Sequence, residues 1–224
     1  MWISLVVLSG LLAGAVHVVT GVDHMAALLP LSVGRRWRAW RAGVRWGLGH
    51  SAGVTLIGLA AVLLRGRLEL ALVEAWGERL VGVMLVVLGA WGVRRAAGLH
   101  AHVHAHDGHE HTHLHAHPAP RHDPEAAHHG HAAFVAGTLH GVAGTAHVLG
   151  VLPALALPGP LASLSYLLAF ALGTIVAMGT FAALVGEGSA RVAVGSEQLR
   201  GIAVAAGLLT VAVGLGWLGL ALGR

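Results

Sequence analysis

Six stretches of the chain are almost wholly apolar, at residues 2–33, 46–64, 79–98, 132–157, 163–186 and 201–222, and four of the five connections between them bear arginine. A hydrocarbon core roughly 30 Å thick takes about 20 apolar residues per helix. The pattern therefore predicts an all-α integral membrane protein of about six transmembrane segments. The first stretch, 32 residues, would be about 48 Å long as one straight helix rising 1.5 Å per residue. The fourth, about 26 residues, is over-long as well. Both must tilt, overhang or break, and both carry histidines beside a glycine, so breaks are expected at Thr20–Gly21 and at Gly144.

The two halves of the chain read alike. Gly14, His17, Gly21, His24 and Leu29–Pro30 fall over Gly137, His140, Gly144, His147 and Leu152–Pro153 at a constant offset of 123. Leu48–Gly49–His50 then matches Leu172–Gly173–Thr174 at 124, and Glu78 to Gly82 matches Glu197 to Gly201 at 119. Three segments followed by three more give a second copy that is upside down, the inverted-repeat plan of many secondary transporters. The predicted units are residues 1–98, a histidine-rich connection at 99–131, and residues 132–224.

Composition narrows the class further. The chain is 56% hydrophobic and 11% charged, with 33 glycines. That suits helices packed closely through small side chains in lipid. All 14 basic residues are arginine, and they sit at segment ends without interleaved aromatics, which argues against a nucleic-acid partner. Arg35, Arg36, Arg38, Arg41 and Arg45 share the first connection with Trp37, Trp40 and Trp46, which suit a headgroup interface. Placing that connection in the cytoplasm puts ten arginines inside and leaves Arg65, Arg67, Arg79 and Arg224 outside. Both termini are then outside a cell membrane and the histidine-rich connection is cytoplasmic. With no cysteine, disulfides, thiolate metal sites and thiol relays are excluded, so any metal must be held by nitrogen and oxygen. The first residues lack the basic region of a signal peptide and are read as structure.

Ionisable residues inside a span are costly and call for a functional reading. Asp23, His17, His24, His50, His140 and His147 lie in three otherwise apolar segments. On a straight helix His17 and His24 share a face but stand about 10.5 Å apart along the axis. One ion can bridge them only if the helix unwinds between them. The structural alternative is a set of interhelical hydrogen bonds, and His50, whose repeat counterpart is Thr174, is the weakest candidate ligand. Imidazole with one carboxylate suits Ni, Co, Zn and Cu(II), not the oxygen-seeking Mg and Ca.

Between residues 100 and 131 lie 13 of the 18 histidines, including His100, His102, His104, His106, His109, His111, His113, His115 and His117. The prolines and polar content favour a disordered tract that captures metal, a labile buffer near neutral pH. A linker without a metal role is the duller alternative.

His17-Val-Val-Thr-Gly-Val-Asp23-His24 resembles the metal-binding signature of the nickel/cobalt transporter family, above all its urease-accessory nickel permease branch. Gly49-His50-Ser51 resembles that family's second signature, and Leu139-His140-Gly-Val-Ala-Gly144 the corresponding second-half motif. The resemblance implies a multi-pass permease for Ni or Co with His17, Asp23 and His24 as metal residues and His50 close by. A related efflux branch also carries histidine-rich loops, and the second-half Asp-Thr signatures of the uptake branch are not found here, which leaves direction open. Five residues separate His17 from Asp23 here, against four in the better-studied uptake members, a shift of about 100° on a straight helix. No catalytic cofactor is expected, and the ion is cargo, Ni or Co with Zn as the next choice. A cytoplasmic metal chaperone or a metalloenzyme maturation system would be its partner. The rival readings are an intramembrane zinc hydrolase, which lacks a His-Glu-x-x-His motif and a second intramembrane carboxylate, and a membrane metal sensor or store.

Overall fold

The computed structural model describes residues 2–63, 70–106, 109–116, 125–143 and 152–223, and the side chains of these segments apart from 58–75 and 99–130. Helix α1 (Trp2–Thr20) is followed directly by α2 (Val22–Ser32), a 3-10 turn (Arg36–Ala39), α3 (Trp40–Leu63) and α4 (Leu70–Ala97). A hairpin of β1 (Leu99–His106) and β2 (His109–Ala116) leads to α5 (Glu125–Ala143), α6 (Pro160–Val192) and α7 (Ser196–Leu222). Residues 152–156 are also helical. Gly144 and His147 lie outside the described residues.

Among the described residues, four helical stretches are long and apolar enough to cross a bilayer: Trp2–Thr20, Trp76–Ala97, Pro160–Val192 and Ser196–Leu222. This is a multi-pass membrane protein. Its side-chain distribution suits lipid, since α6 leaves Leu161, Leu164, Leu168, Leu172, Val176 and Leu184 more than half exposed. In water that surface would be an aggregation site.

Small residues turn inward. Helix α1 buries Val6, Gly10, Gly14 and Val18, one every turn, and that stripe lies on α6. Gly10 abuts the Tyr166 carbonyl, Gly14 that of Phe170, and Gly173 that of Leu11. The partners ascend together, so α1 and α6 run parallel. Helix α3 meets α5 in the same sense, with Gly49 against the Phe134 carbonyl, Gly53 against that of Thr138, and Gly137 against that of Trp46. Helix α4 meets α7 in the opposite sense, Gly82 against Gly214 and Gly89 against Gly207. A Cβ at any of these glycines other than Gly82 would strike backbone, which cannot yield, and at Gly82 it would strike the Leu218 side chain.

Pro30 lies inside α2 and has no N–H to offer the carbonyl four residues back. That carbonyl, of Ala26, instead accepts a 2.8 Å hydrogen bond from Thr210 Oγ1 on α7. A proline in a spanning helix is tolerated when a neighbour satisfies the freed group in this way, and the bond ties α2 to α7.

The histidine-rich connection differs from the disordered expectation. Its strands pair antiparallel, with His100 opposite His115, His102 opposite His113, His104 opposite His111 and His106 opposite His109. Strict two-residue alternation permits this register, and Asp-Gly, the dipeptide between the strands, favours a two-residue hairpin. His117 lies outside the described residues. The connection is also shorter than 99–131, because α5 begins at Glu125 and takes in His128, His129 and His131.

Candidate metal centre

The helix break sits at Gly21. This residue is extended, at φ −79° and ψ 96°, between the last residue of α1 and the first of α2. Its own N–H still donates to the His17 carbonyl at 3.1 Å, and its carbonyl takes over as acceptor for His24 and Met25 at 3.1 and 3.3 Å. The chain thus changes direction without wasting its polar backbone. A side chain there would displace the site, because a Cβ on Gly21 would overlap the His24 imidazole.

The turn folds His17, at the end of α1, back toward His24 in the first turn of α2. Their rings come to 4.7 Å between centroids, nearly perpendicular. On a straight helix they would be too far apart to share an ion, and the 100° displacement inferred from the five-residue spacer does not apply across a break. Helix α3 contributes His50, whose ring is 4.9 Å from that of His24 and 5.7 Å from that of His17. Helix α5 contributes His140 at 4.6 Å from His24 and 5.6 Å from His50. Asp23 lies between the two halves: its Oδ1 accepts from the His24 backbone N–H at 3.0 Å and lies 3.0 Å from His24 Nδ1, while its Oδ2 is 3.3 Å from His140 Nε2.

His24, His50 and His140 are at most 1% exposed. With Nδ1 directed at Asp23, a neutral His24 carries its lone pair on Nε2, the tautomer a carboxylate imposes on a metal-ligating imidazole. Two overlapping ligand sets result. His17, His24 and His50 place one nitrogen each within 4.8 Å of one another, and so do the donor atoms of Asp23, His24 and His140. Ligand bonds of about 2.0–2.1 Å put the donors of a bound ion roughly 3 to 4 Å apart. Either set therefore lies within reach of a single ion through side-chain rotation.

His50 is thus a full member of one triad. Its isolation in the repeat alignment made it look marginal, but α3 aims it inward at the same level as His24. Trp46 was missed as a site residue and read as an interface residue with Trp37 and Trp40. Those two are 66% and 38% exposed, whereas Trp46 is fully buried, its ring 5.9 Å from that of His140. The signal was present in the spacing, since Trp46 precedes His50 by one helical turn and shares its face. Phe170 of α6, 5.6 Å from His17, closes another wall.

A family described as the cytochrome c biogenesis protein transmembrane region matches residues 5–217. The chain is 38% identical over 181 residues to Chloroplast protein FOR GROWTH AND FERTILITY 1 of Arabidopsis thaliana, covering 80% of this chain and 49% of that one. Chloroplast protein FOR GROWTH AND FERTILITY 2 of the same plant is 36% identical over 180 residues, covering 80% and 46%. The chain therefore spans about half the length of these relatives. Urease accessory protein UreH of Bacillus sp. (strain TB-90) is 28% identical over 169 residues, covering 73% of this chain and 69% of the relative. No solved structure matches the chain.

Proposed function

We propose that this chain, which belongs to the family described as the cytochrome c biogenesis protein transmembrane region, is a secondary permease that moves a divalent transition-metal ion, Ni2+ or Co2+, across the membrane. It is a carrier, not an enzyme. The observation that carries the reading is the convergence of His17, Asp23, His24, His50 and His140 from four helices on one buried point. Any ion chemistry in a chain without cysteine must pass through such nitrogen and oxygen donors. The similarity to a urease accessory protein supports nickel as the cargo.

The packing supports six spans in two inverted halves. Parallel contacts of α1 with α6 and α3 with α5, and the antiparallel contact of α4 with α7, are what six alternating spans require. The contacts also interchange: an offset of 123 or 124 turns Gly14 against Phe170 into Gly137 against Trp46, and Leu11 against Gly173 into Phe134 against Gly49. For the third pair, Gly82 with Gly214 and Gly89 with Gly207, the offset is 125 in place of the 119 read from sequence.

An ion entering this site exchanges its water shell for imidazoles. The two triads share His24, so the ion passes from one to the other by trading two ligands while keeping the third. Only one triad contains a carboxylate, and it is the one that offsets charge. The orientation that keeps most arginines in the cytoplasm places the histidine-rich hairpin there, where it buffers the metal that a chaperone or maturation system collects.

The test is metal flux in proteoliposomes, with Ni, Co, Zn and Cu(II) offered separately and in both gradient directions. Saturable flux of Ni or Co that His24→Ala abolishes is expected. Absence of flux for all four ions, with folded protein, would overturn the reading.

A further inference from the structure

At the end of the bundle where α2 gives way to the 3-10 turn and α3, the chain gathers arginines around a cavity of about 850 Å³. Arg35, Arg36, Arg38, Arg41, Arg45 and Arg95 line it, and among the described residues Glu187 is the one acidic residue in its wall. That carboxylate is already engaged, accepting from Arg191 Nε at 3.0 Å. Among the described residues, none of the six cavity arginines has a carboxylate within 4.0 Å. Arg35 and Arg95 are half-buried. Burial, and then the like charge of Arg95, brings the Arg35 guanidinium down to about 10. The rule that favours arginines in cytoplasmic connections accounts for their presence in this stretch. It does not account for three separate elements, the 3-10 turn with its preceding Arg35, α3 and α4, turning six of them toward one space.

Beside this cavity lies a second, of about 230 Å³, that shares Trp37 with it. Its walls are apolar, made by Trp40, Val44, Val176, Ala183 and Leu184 on α3 and α6. Trp37 and Trp40 stand exposed at the junction, where amphipathic rings favour the headgroup level of a bilayer. A free phosphate would complement the arginines and leave the groove unused. An amphiphile with an anionic head complements both.

We propose that this end of the bundle binds one anionic phospholipid, its phosphate held among Arg35, Arg38, Arg41 and Arg95 and an acyl chain lying in the groove beside Trp37 and Trp40. Guanidinium groups hold phosphate oxygens through paired, directed hydrogen bonds, so the site selects the headgroup while the groove selects a lipid over a soluble anion.

The test uses the full chain, delipidated in detergent, titrated with phosphatidylglycerol or with phosphatidylcholine of the same acyl chains, and counted by native mass spectrometry. One phosphatidylglycerol should be retained per chain, with a preference of at least about tenfold. Arg38→Gln with Arg41→Gln changes two exposed side chains, leaves the fold intact, and should remove most of that preference. Arg200→Gln, exposed on α7, should leave it unchanged. Millimolar inorganic phosphate should displace little of the lipid. Equal retention of the two lipids, or a preference untouched by the double substitution, overturns the site. Complete displacement by inorganic phosphate overturns the lipid and leaves a site for a free anion.

Discussion

Asp23→Asn is the substitution that most sharply separates a metal site from a hydrogen-bonded histidine cluster. It preserves volume and removes the single carboxylate among the clustered donors. Two unit charges 4 Å apart attract with about 4 kcal/mol at an effective dielectric constant near 20, which a divalent ion doubles to about 8. Dehydrating the ion and the carboxylate consumes much of this. If only a quarter survives, about 2 kcal/mol, the loss exceeds tenfold in affinity, since 1.4 kcal/mol is one decade. The amide adds a conflict of its own. Asp23 Oδ1 accepts from the His24 backbone and lies 3.0 Å from His24 Nδ1, and Oδ2 is 3.3 Å from His140 Nε2, so the amide NH2 must face one of these rings and force a tautomer change or a rotation. Initial rates of radioactive nickel uptake into proteoliposomes, at limiting metal and matched protein, should fall at least about tenfold. A silent Asp23→Asn in folded protein would refute the claim that the carboxylate offsets the ion's charge.

Gly21→Ala drives a methyl group into the His24 ring, so metal affinity by equilibrium dialysis should fall at least as far as in His24→Ala, with the helical content by circular dichroism retained. His50→Ala removes one of three nitrogens from its triad and should weaken binding where Thr174→Val, its repeat counterpart, leaves binding in place. Thr210→Val strips the Ala26 carbonyl of its donor beside Pro30 and should cost about 1–3 kcal/mol of stability, read as a lower melting temperature in detergent, while nickel affinity of the folded protein is preserved. Replacing residues 99–123 with a flexible linker, which spares α5, should leave substantial flux and alter chiefly its dependence on metal concentration. Loss of all transport would instead place the hairpin in the translocation path.

Much of the site was legible because membrane burial makes each polar residue conspicuous. Asp23, His17 and His24 stood out against an apolar stretch too long for one span, and chain length alone demanded a break that the backbone has at Gly21. His140 was found through the repeat, and His50 was undervalued for the same reason, since repeat matching rewards symmetry and this position is His in one half and Thr in the other. Trp46 was misplaced because its neighbours Trp37 and Trp40 do mark the surface, and only the four-residue step to His50 distinguishes it. The hairpin was missed because prolines after His117 coloured the whole tract, although the Asp-Gly dipeptide between two alternating runs was on view. The apolar stretches 46–64, 79–98 and 132–157 begin later than α3, α4 and α5, whose first turns carry arginine, glutamate or histidine.

The most direct measurement is metal binding by the chain with residues 99–123 replaced, combining equilibrium dialysis with X-ray absorption on the bound nickel. The account predicts one ion per chain in a shell of imidazole nitrogen with carboxylate oxygen at about 2.0–2.1 Å, lost in His24→Ala. A stoichiometry of zero, or a bound ion that His24→Ala leaves undisturbed, would contradict it.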